Sequence, residues 1–356
     1  QIEFRKIIPD LPKTEQPPFS TLRTKDVNTF YINAQMKKIY SSQANLKALV
    51  DSDYAKPFNP FIHYFTSLQT WDGKTDHIGQ LTKTVKAADQ AFFEDSFRRW
   101  LVGMVACAID DEAQNHQLML LHGAQGKGKS TFVRHLLPPE LKDYYRNGMI
   151  SPDNKDHLLQ MSSCLLINLD EFDKYAPTKM PLLKNLMQMA SLSLCKAYQK
   201  NYRSLPRIAS FIGTSNRKDL LTDPTGSRRF ICVLVEYPID CEGIDYAQLY
   251  AQLKAEILAG EHYWFTKEEE TELQQSNMTF YRQGPVEDVL RSCYRAAEKG
   301  EGCELLSSAD IFQRLKKINP AAMRGANPAS LAQILIAVGI ERKHTKFGNV
   351  YRVVSV

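Results

Sequence analysis

The stretch Leu118 to Leu137, "LMLLHGAQGKGKSTFVRHLL", constrains this chain more than any other. It is an apolar run, broken by Gly123, Gly126 and Gly128 and restarted by Lys-Ser-Thr. The spacing G-x-x-x-x-G-K-S has a physical reading. Glycines let backbone N–H groups turn inward and approach a phosphate chain that side chains would block. A helix starting near Gly128 aims free N–H groups at the same anion. Lys129 supplies a point charge for terminal phosphates, and Ser130 a hydroxyl for magnesium. By residue frequencies such a string arises by chance in roughly one chain in a hundred of this length. A plain glycine-rich turn is therefore disfavoured.

A phosphate loop needs a carboxylate for magnesium at the end of a nearby strand. "CLLINLDEFD" offers one, an apolar strand emerging at Asp170 and Glu171. Asp170, with Ser130, is the expected metal-holding residue. Glu171 is the expected base that polarises a water attacking the γ-phosphate. Apolar runs ending in Asp-Glu are common, but one at this distance after a phosphate loop makes a specific pair. The expected nucleotide contacts are Gly123, Gln125, Gly126, Lys127, Gly128, Lys129, Ser130 and Thr131, with ATP and Mg²⁺ as ligands. "RIASFIGTSN" ends a further strand on Asn216, whose neutral amide suits orienting that water. "TGSRRF" places Arg228 and Arg229 before a fourth strand, either of which suits contact with a γ-phosphate. Alone, a turn asparagine and a surface arginine pair are the blander readings of these two motifs.

Between Asp170 and Asn216 lies "SLCKAYQKNYRSLPR". Lys196, Lys200, Arg203 and Arg207 alternate with Tyr198 and Tyr202, with no acid among them. Cations for backbone phosphate and rings for base stacking suit a single-strand channel; a solvated hairpin is the alternative. From Asp310 to Val356 the chain holds eight Lys or Arg against two acids. Arg342, Lys343 and Lys346 crowd a hairpin expected to turn near Gly348-Asn349. Together with "SADIFQRLKKI" and "NPASLAQILIAVG", read as two capped helices, this gives the order of a winged helix, a module that contacts either DNA or protein.

Strands "QLMLLH", "SSCLLINL", "RIASFIGTS" and "RRFICVLVE" alternate with helical segments, which predicts a parallel sheet covered on both faces. "QAFFEDSFRRWLVGMVACAID" spaces Phe93, Phe97, Trp100, Leu101, Met104, Val105 and Ala108 as one helix face, read as core. Further helices are expected over Asp245 to Ala259 and Lys267 to Gln275. The expected division is a helical lead-in over 1–110, an ATPase core over 111–265, a helical lid or linker over 266–300 and a winged-helix-like domain over 301–356. With 43% hydrophobic and 24% charged residues, the 356-residue chain reads as globular, and its net charge of +5 is mild. No apolar stretch approaches the ~20 residues of a membrane span. Seven cysteines, none in C-x-x-C spacing, fit reduced thiols and a cytoplasmic setting. Gln1 suggests a fragment of a longer protein.

Together "HGAQGKGKST", "INLDEFD", "YRSLPRIASFIGTSN" and "DPTGSRRF" resemble the virulence-associated protein E family. "FNPFIHYFTSLQTWDGKTD" looks like that family's lead-in segment, and the likeness runs from about Pro57 to Gly260. The family consists of AAA+-type ATPases similar to superfamily 3 helicases of viruses and mobile elements. The resemblance implies a P-loop core with Walker A at Gly123–Ser130, Walker B at Asp170–Glu171 and a sensor at Asn216. It implies an arginine finger within Arg228–Arg229 that reaches a neighbour's nucleotide in a homo-oligomeric ring, expected to be a hexamer. It places the hairpin around Lys196–Arg203 at the pore and a primase-type domain upstream. The strand "RRFICVLV" lacks the tryptophan of the pattern, which leaves the finger open between Arg228 and Arg229. The tail resembles winged-helix tails of Bacteroides-type relatives. The expected activity is a DNA-dependent ATPase, the helicase motor of a phage or mobile-element replication protein acting on single-stranded or forked DNA. The alternative is an ATP-switched initiator that binds DNA without translocating. A small-molecule kinase uses the same loop but is disfavoured by Asp-Glu, Asn216 and the acid-free basic stretch.

Overall fold

A computed structural model describes residues 3–4, 11–12, 20–50, 52, 58–151, 153–175, 177–195, 202–221, 224–281, 284–298, 300–346 and 348–356. A short ladder pairs β1 (Glu3–Phe4) with β2 (Ser20–Thr21), and helices α1 (Thr24–Met36) and α2 (Gln43–Val50) follow without a buried residue. The packed structure begins with α3 (Pro60–Ser67), α4 (His77–Lys83) and α5 (Gln90–Ile109). Asn59, Asp76 and Asp89 cap the three helices, each side chain accepting from N–H groups of the first turn. Helix α5 buries Phe93, Phe97, Trp100, Leu101, Met104, Val105 and Ala108, the face expected from its spacing. Trp100 Nε1 donates to the Phe211 carbonyl at 3.2 Å, which docks the helix on the sheet behind the site.

The sheet comprises β3 (Leu118–His122), β4 (Tyr145–Asn147), β5 (Leu166–Leu169), β8 (Ser210–Ser215) and β9 (Phe230–Leu234). Its order is β4-β5-β8-β3-β9 and every pairing is parallel. Met119 and Leu121 face one core layer, with α5, α6 (Lys129–Arg134) and α9 (Tyr246–Leu258). Leu118 and Leu120 face the other, with α7 (Lys155–Ser163) and α8 (Met180–Gln188). Burial on both faces is why these strands read as unbroken apolar runs. Each aliphatic side chain fully removed from water is worth roughly 1.5–3 kcal/mol. Strand β4, a three-residue edge, carries no such run, and sequence periodicity did not reveal it.

Because all five strands are parallel, the carboxyl ends of β3, β5 and β8 open at one edge. Chain segments leaving that edge therefore meet without further folding. An antiparallel hairpin, β6 (Ser191–Cys195) with β7 (Tyr202–Pro206), projects between α8 and β8. Helix α10 (Lys267–Ser276) starts at a capping box of Thr266 and Glu269.

A separate core follows. Helix α11 (Pro285–Cys293), β10 (Tyr294–Ala296), β11 (Glu304–Ser307), α12 (Ser308–Ile318), α13 (Pro328–Ala337), β12 (Arg342–Thr345) and β13 (Gly348–Ser355) surround Leu290, Ile311, Leu315, Leu331, Leu335 and Val353. Strand β13 pairs antiparallel with β10, β11 and β12. Asn327 caps α13 as expected, whereas α12 is capped one residue earlier than expected, by Ser307, with Ser308 as its first helical residue. The hairpin reverses earlier than expected: Thr345 lies opposite Gly348, so Gly348 opens β13 instead of forming the turn. Among the described residues no helix is long and apolar enough to cross a membrane.

Candidate functional site

The chain leaves β3 at His122 into a glycine loop pinned on both sides. Val235 N donates to His122 O (2.8 Å) and Gly123 N donates to Ser215 O (3.2 Å). Gly123 has φ +150°, and a Cβ there would sit 2.5 Å from the Val235 carbonyl oxygen, so no side chain fits. Gly128 takes the left-handed conformation at the start of α6 (φ +78°), open to glycine at little cost. Lys127 reaches away from the loop, its Nζ donating to Val235 O (3.0 Å) and to Glu236 O. Lys129 turns inward. Only 6% exposed, its Nζ donates to the carbonyls of Gly123 (2.7 Å) and Ala124 (2.9 Å) and to Asn216 Oδ1 (3.1 Å). Burial and the neighbouring charge of Lys127 lower its pKa, against the opposing pull of Asp170.

Asp170 leaves β5 opposite this loop. Its Oδ1 accepts from Ser130 Oγ at 2.9 Å and from Thr214 Oγ1. Burial pushes the carboxyl up, but the hydrogen bonds from Thr214 and Ser130 outweigh it and hold the pKa below the usual carboxylate value. Glu171 follows at φ +52°, ψ +47°, a left-handed conformation that costs an L-residue roughly 1–2 kcal/mol. Its Oε2 ion-pairs with Lys174 Nζ at 2.6 Å on the exposed side. Gln125, Gly126, Lys127, Gly128, Lys129, Ser130, Thr131, Asp170, Glu171, Thr214, Ser215 and Asn216 line one open cleft of about 290 Å³.

The structure thus brings the loop, both carboxylates and Asn216 together. Gly123 lies beneath, supporting the loop by its backbone. Thr214 and Ser215 were missed from sequence. Register places them: Leu169 pairs with Gly213, so the residue after each lies alongside the other, Asp170 beside Thr214. The visible trace of this was a hydroxyl pair just ahead of Asn216.

Arg228 and Arg229 lie outside the cleft. Arg228 Nη1 bonds Glu270 Oε2 at 3.0 Å. Arg229 is half-buried, with its Nε lacking a hydrogen-bond partner among the described residues. Asn277, buried, brackets the pair by donating its Nδ2 to Ser227 O (2.8 Å) and Phe230 O (2.7 Å). Lys196, Tyr198 and Lys200 lie outside the described residues; Arg203 is on β7, paired in register with Leu194. Arg207 is a correction. Instead of lining a channel it is 2% exposed, with its guanidinium donating to the carbonyls of Met189 (2.8 Å), Ala209 (2.6 Å) and Asn115 (3.2 Å). It anchors the base of the hairpin, because loop carbonyls buried there need donors. Arg342 and Lys343 are exposed on β12, and Lys346 follows it.

Asp170, Ser130 and Thr214 present hard oxygen donors beside a glycine cradle that a side chain at Gly123 would disrupt. That donor set fits a magnesium ion that keeps part of its water shell.

No curated protein matches the chain. Among solved structures it is similar to the NrS-1 C-terminal region in an apo form, 13% identical over 85% of this chain and 79% of that one, with a TM-score of 0.41. A second apo structure of that region gives the same identity and coverage with a TM-score of 0.42. Residues 283–353 match DUF3874, a domain of unknown function from B. Theta. Residues 65–282, more than half of the chain, match the virulence-associated protein E-like domain, and the chain belongs to that family.

Proposed function

We propose that the chain is a P-loop ATPase of the AAA+ type and the motor of a DNA-replication helicase. The observation that carries this reading is the convergence of Lys129, Asp170, Glu171 and Asn216 on one cleft at the sheet edge. Strand β8 lies between the loop strand β3 and the carboxylate strand β5. Asn216, just past its tip, therefore sits between lysine and base.

ATP enters with its phosphates over the backbone N–H groups of Gln125 to Thr131. Lys129 exchanges neutral carbonyl partners for phosphate oxygens, and the Ser130 hydroxyl with the Asp170 carboxylate holds the metal. Magnesium, when bound, neutralises charge building on the β- and γ-phosphates. Glu171 leaves Lys174, accepts a hydrogen bond from the attacking water and takes its proton as the Pγ–O bond forms. The bond to the ADP oxygen breaks as the phosphate departs. Asn216 holds the water in line. Arg228 or Arg229 reaches the γ-phosphate of an adjacent subunit in a ring, where such a group is worth about 10³–10⁵ in turnover. The segment around Lys196, Tyr198, Lys200 and Arg203 faces the pore and moves along one strand. The winged-helix-like tail contacts DNA through Arg342, Lys343 and Lys346.

The test is ATP hydrolysis with and without single-stranded DNA, together with unwinding of a forked duplex. Stimulated hydrolysis with unwinding supports the motor. Tight duplex binding with the fork left intact identifies an ATP-switched initiator instead. Absence of ATP hydrolysis overturns both.

A further inference from the structure

We propose that Ser215 and Asp173 form a positioning pair that sets Asn216 against Glu171; this rests on the ATPase reading. Asn216 itself is held from its neighbours. Ser215, 3% exposed, donates its Oγ–H to Asp173 Oδ1 at 2.7 Å. Ser215 Oγ in turn accepts from Arg217 N at 3.0 Å, so Ser215 and Arg217 clasp the backbone on either side of Asn216. The Ser215 carbonyl accepts from Gly123 N at 3.2 Å, at the root of the glycine loop. One residue therefore joins the phosphate loop, the asparagine turn and the carboxylate turn.

Asp173 is the remote half of this pair. It lies on the short turn Phe172–Lys174, which Glu171 opens and which Lys174 N closes on Glu171 O at 2.8 Å. The Ser215–Asp173 bond thus spans the gap between the turn that carries Glu171 and the residue before Asn216. It fixes the separation of base and orienting amide, the two groups that must share one water. Misplacement of such groups by about 1 Å costs on the order of 10²-fold in rate. Neither residue needs to touch the reacting atoms to do this.

A hydroxyl that merely satisfied a buried site would act on stability and leave the chemistry alone. The full chain should be assayed with saturating single-stranded DNA as Ser215→Ala, Asp173→Ala and Asp173→Asn. In the two alanine variants kcat should fall about 10-fold or more, while KM for ATP and the affinity for a fluorescent ATP analogue stay within about twofold. Asp173→Asn still offers an oxygen to the Ser215 hydroxyl and should keep most of kcat. The double alanine variant should be no slower than the worse single one, because one bond is lost in each. Asp173 is exposed, so its variants report even where Ser215→Ala fails to fold. Unchanged kcat in Asp173→Ala, or equal loss in Asp173→Asn, overturns the pair while the ATPase reading stands. A wild-type chain that hydrolyses no ATP overturns both.

Discussion

Lys129 Nζ donates to Asn216 Oδ1 across 3.1 Å, joining the glycine loop directly to the turn beyond β8. Its other two partners are also neutral, the carbonyl oxygens of Gly123 and Ala124. A buried ammonium gains more from an anion than from carbonyls, since two opposite full charges attract more strongly than a charge and a neutral dipole. On the proposed ATPase reading this cation exchanges its neutral partners for phosphate, and Asn216 is one of the groups it releases.

Loss of either partner should then separate binding from chemistry. Lys129→Ala removes the charge and should abolish ATP binding, read by titration of a fluorescent nucleotide. Asn216→Ala leaves the cradle and the charge in place. It should bind ATP near normally and lose about 10²-fold in kcat, the usual cost of one oriented polar group in a reacting site. Equal loss of binding in both variants would assign Asn216 to the cradle instead of the water.

Glu171 should behave differently from its neighbour Asp170. It is 59% exposed and, among the described residues, its side chain pairs with Lys174, itself 63% exposed. Such pairs contribute about 0–1 kcal/mol, so releasing Glu171 toward the cleft is inexpensive. Glu171→Gln should bind ATP and stop hydrolysing it. Lys174→Ala should leave the melting temperature within experimental error and kcat no lower than wild type. A slower Lys174→Ala enzyme would mean that the lysine serves the reaction and not the resting state.

Legibility from sequence followed the range over which each role is determined. The glycine loop, Asp170, Glu171 and Asn216 are defined within a few residues, by a turn or a strand end, and all were readable. Thr214 matters because β5 and β8 pair in one register, with Leu169 opposite Gly213. That relation spans more than forty positions and leaves no local trace beyond a hydroxyl before Asn216. Arg207 misled for the converse reason. Its type and spacing match a basic stretch, but one residue past β7 the chain turns inward, and the side chain serves loop carbonyls. Residue type reports charge, not depth. Strand β4 was missed since three edge residues cannot express a period.

His122 should give the fold a pH dependence of known sign. It is 2% exposed at the end of β3, its ring packed edge-on against Phe280 with centroids 4.7 Å apart. Burial, then the charges of Lys218 and Lys129, lower its pKa from 6.5 to about 4. Between those values the unfolded chain binds more protons than the folded one. Stability attributable to His122 is therefore complete above pH 6.5, falls as pH drops through the window and is gone below about 4. At roughly 1.4 kcal/mol per unit the whole effect is about 3 kcal/mol. Denaturant unfolding from pH 4 to 7 checks it: His122→Leu should flatten the slope relative to wild type. Parallel curves for the two proteins would show that the imidazole titrates freely.

Arg228 and Arg229 supply the sharpest test of assembly. Arg228, half exposed, rests on Glu270, and neither arginine lines the cleft of its own subunit. A finger so placed works only across a subunit boundary. Glu171→Gln should then be inactive because its own cleft lacks a base, and Arg228→Ala/Arg229→Ala because its neighbour's cleft lacks the finger. Mixed in equal amounts, the two preparations create boundaries in which an intact Glu171 faces intact arginines. Random assembly of a closed ring makes these about one boundary in four. Hydrolysis in the mixture should rise well above that of either parent, by up to the 10³–10⁵-fold attributed to such arginines at each restored boundary. A mixture as inactive as its components would confine Arg228 and Arg229 to their own subunit, where Glu270 already neutralises one of them, and would remove the ring from the mechanism.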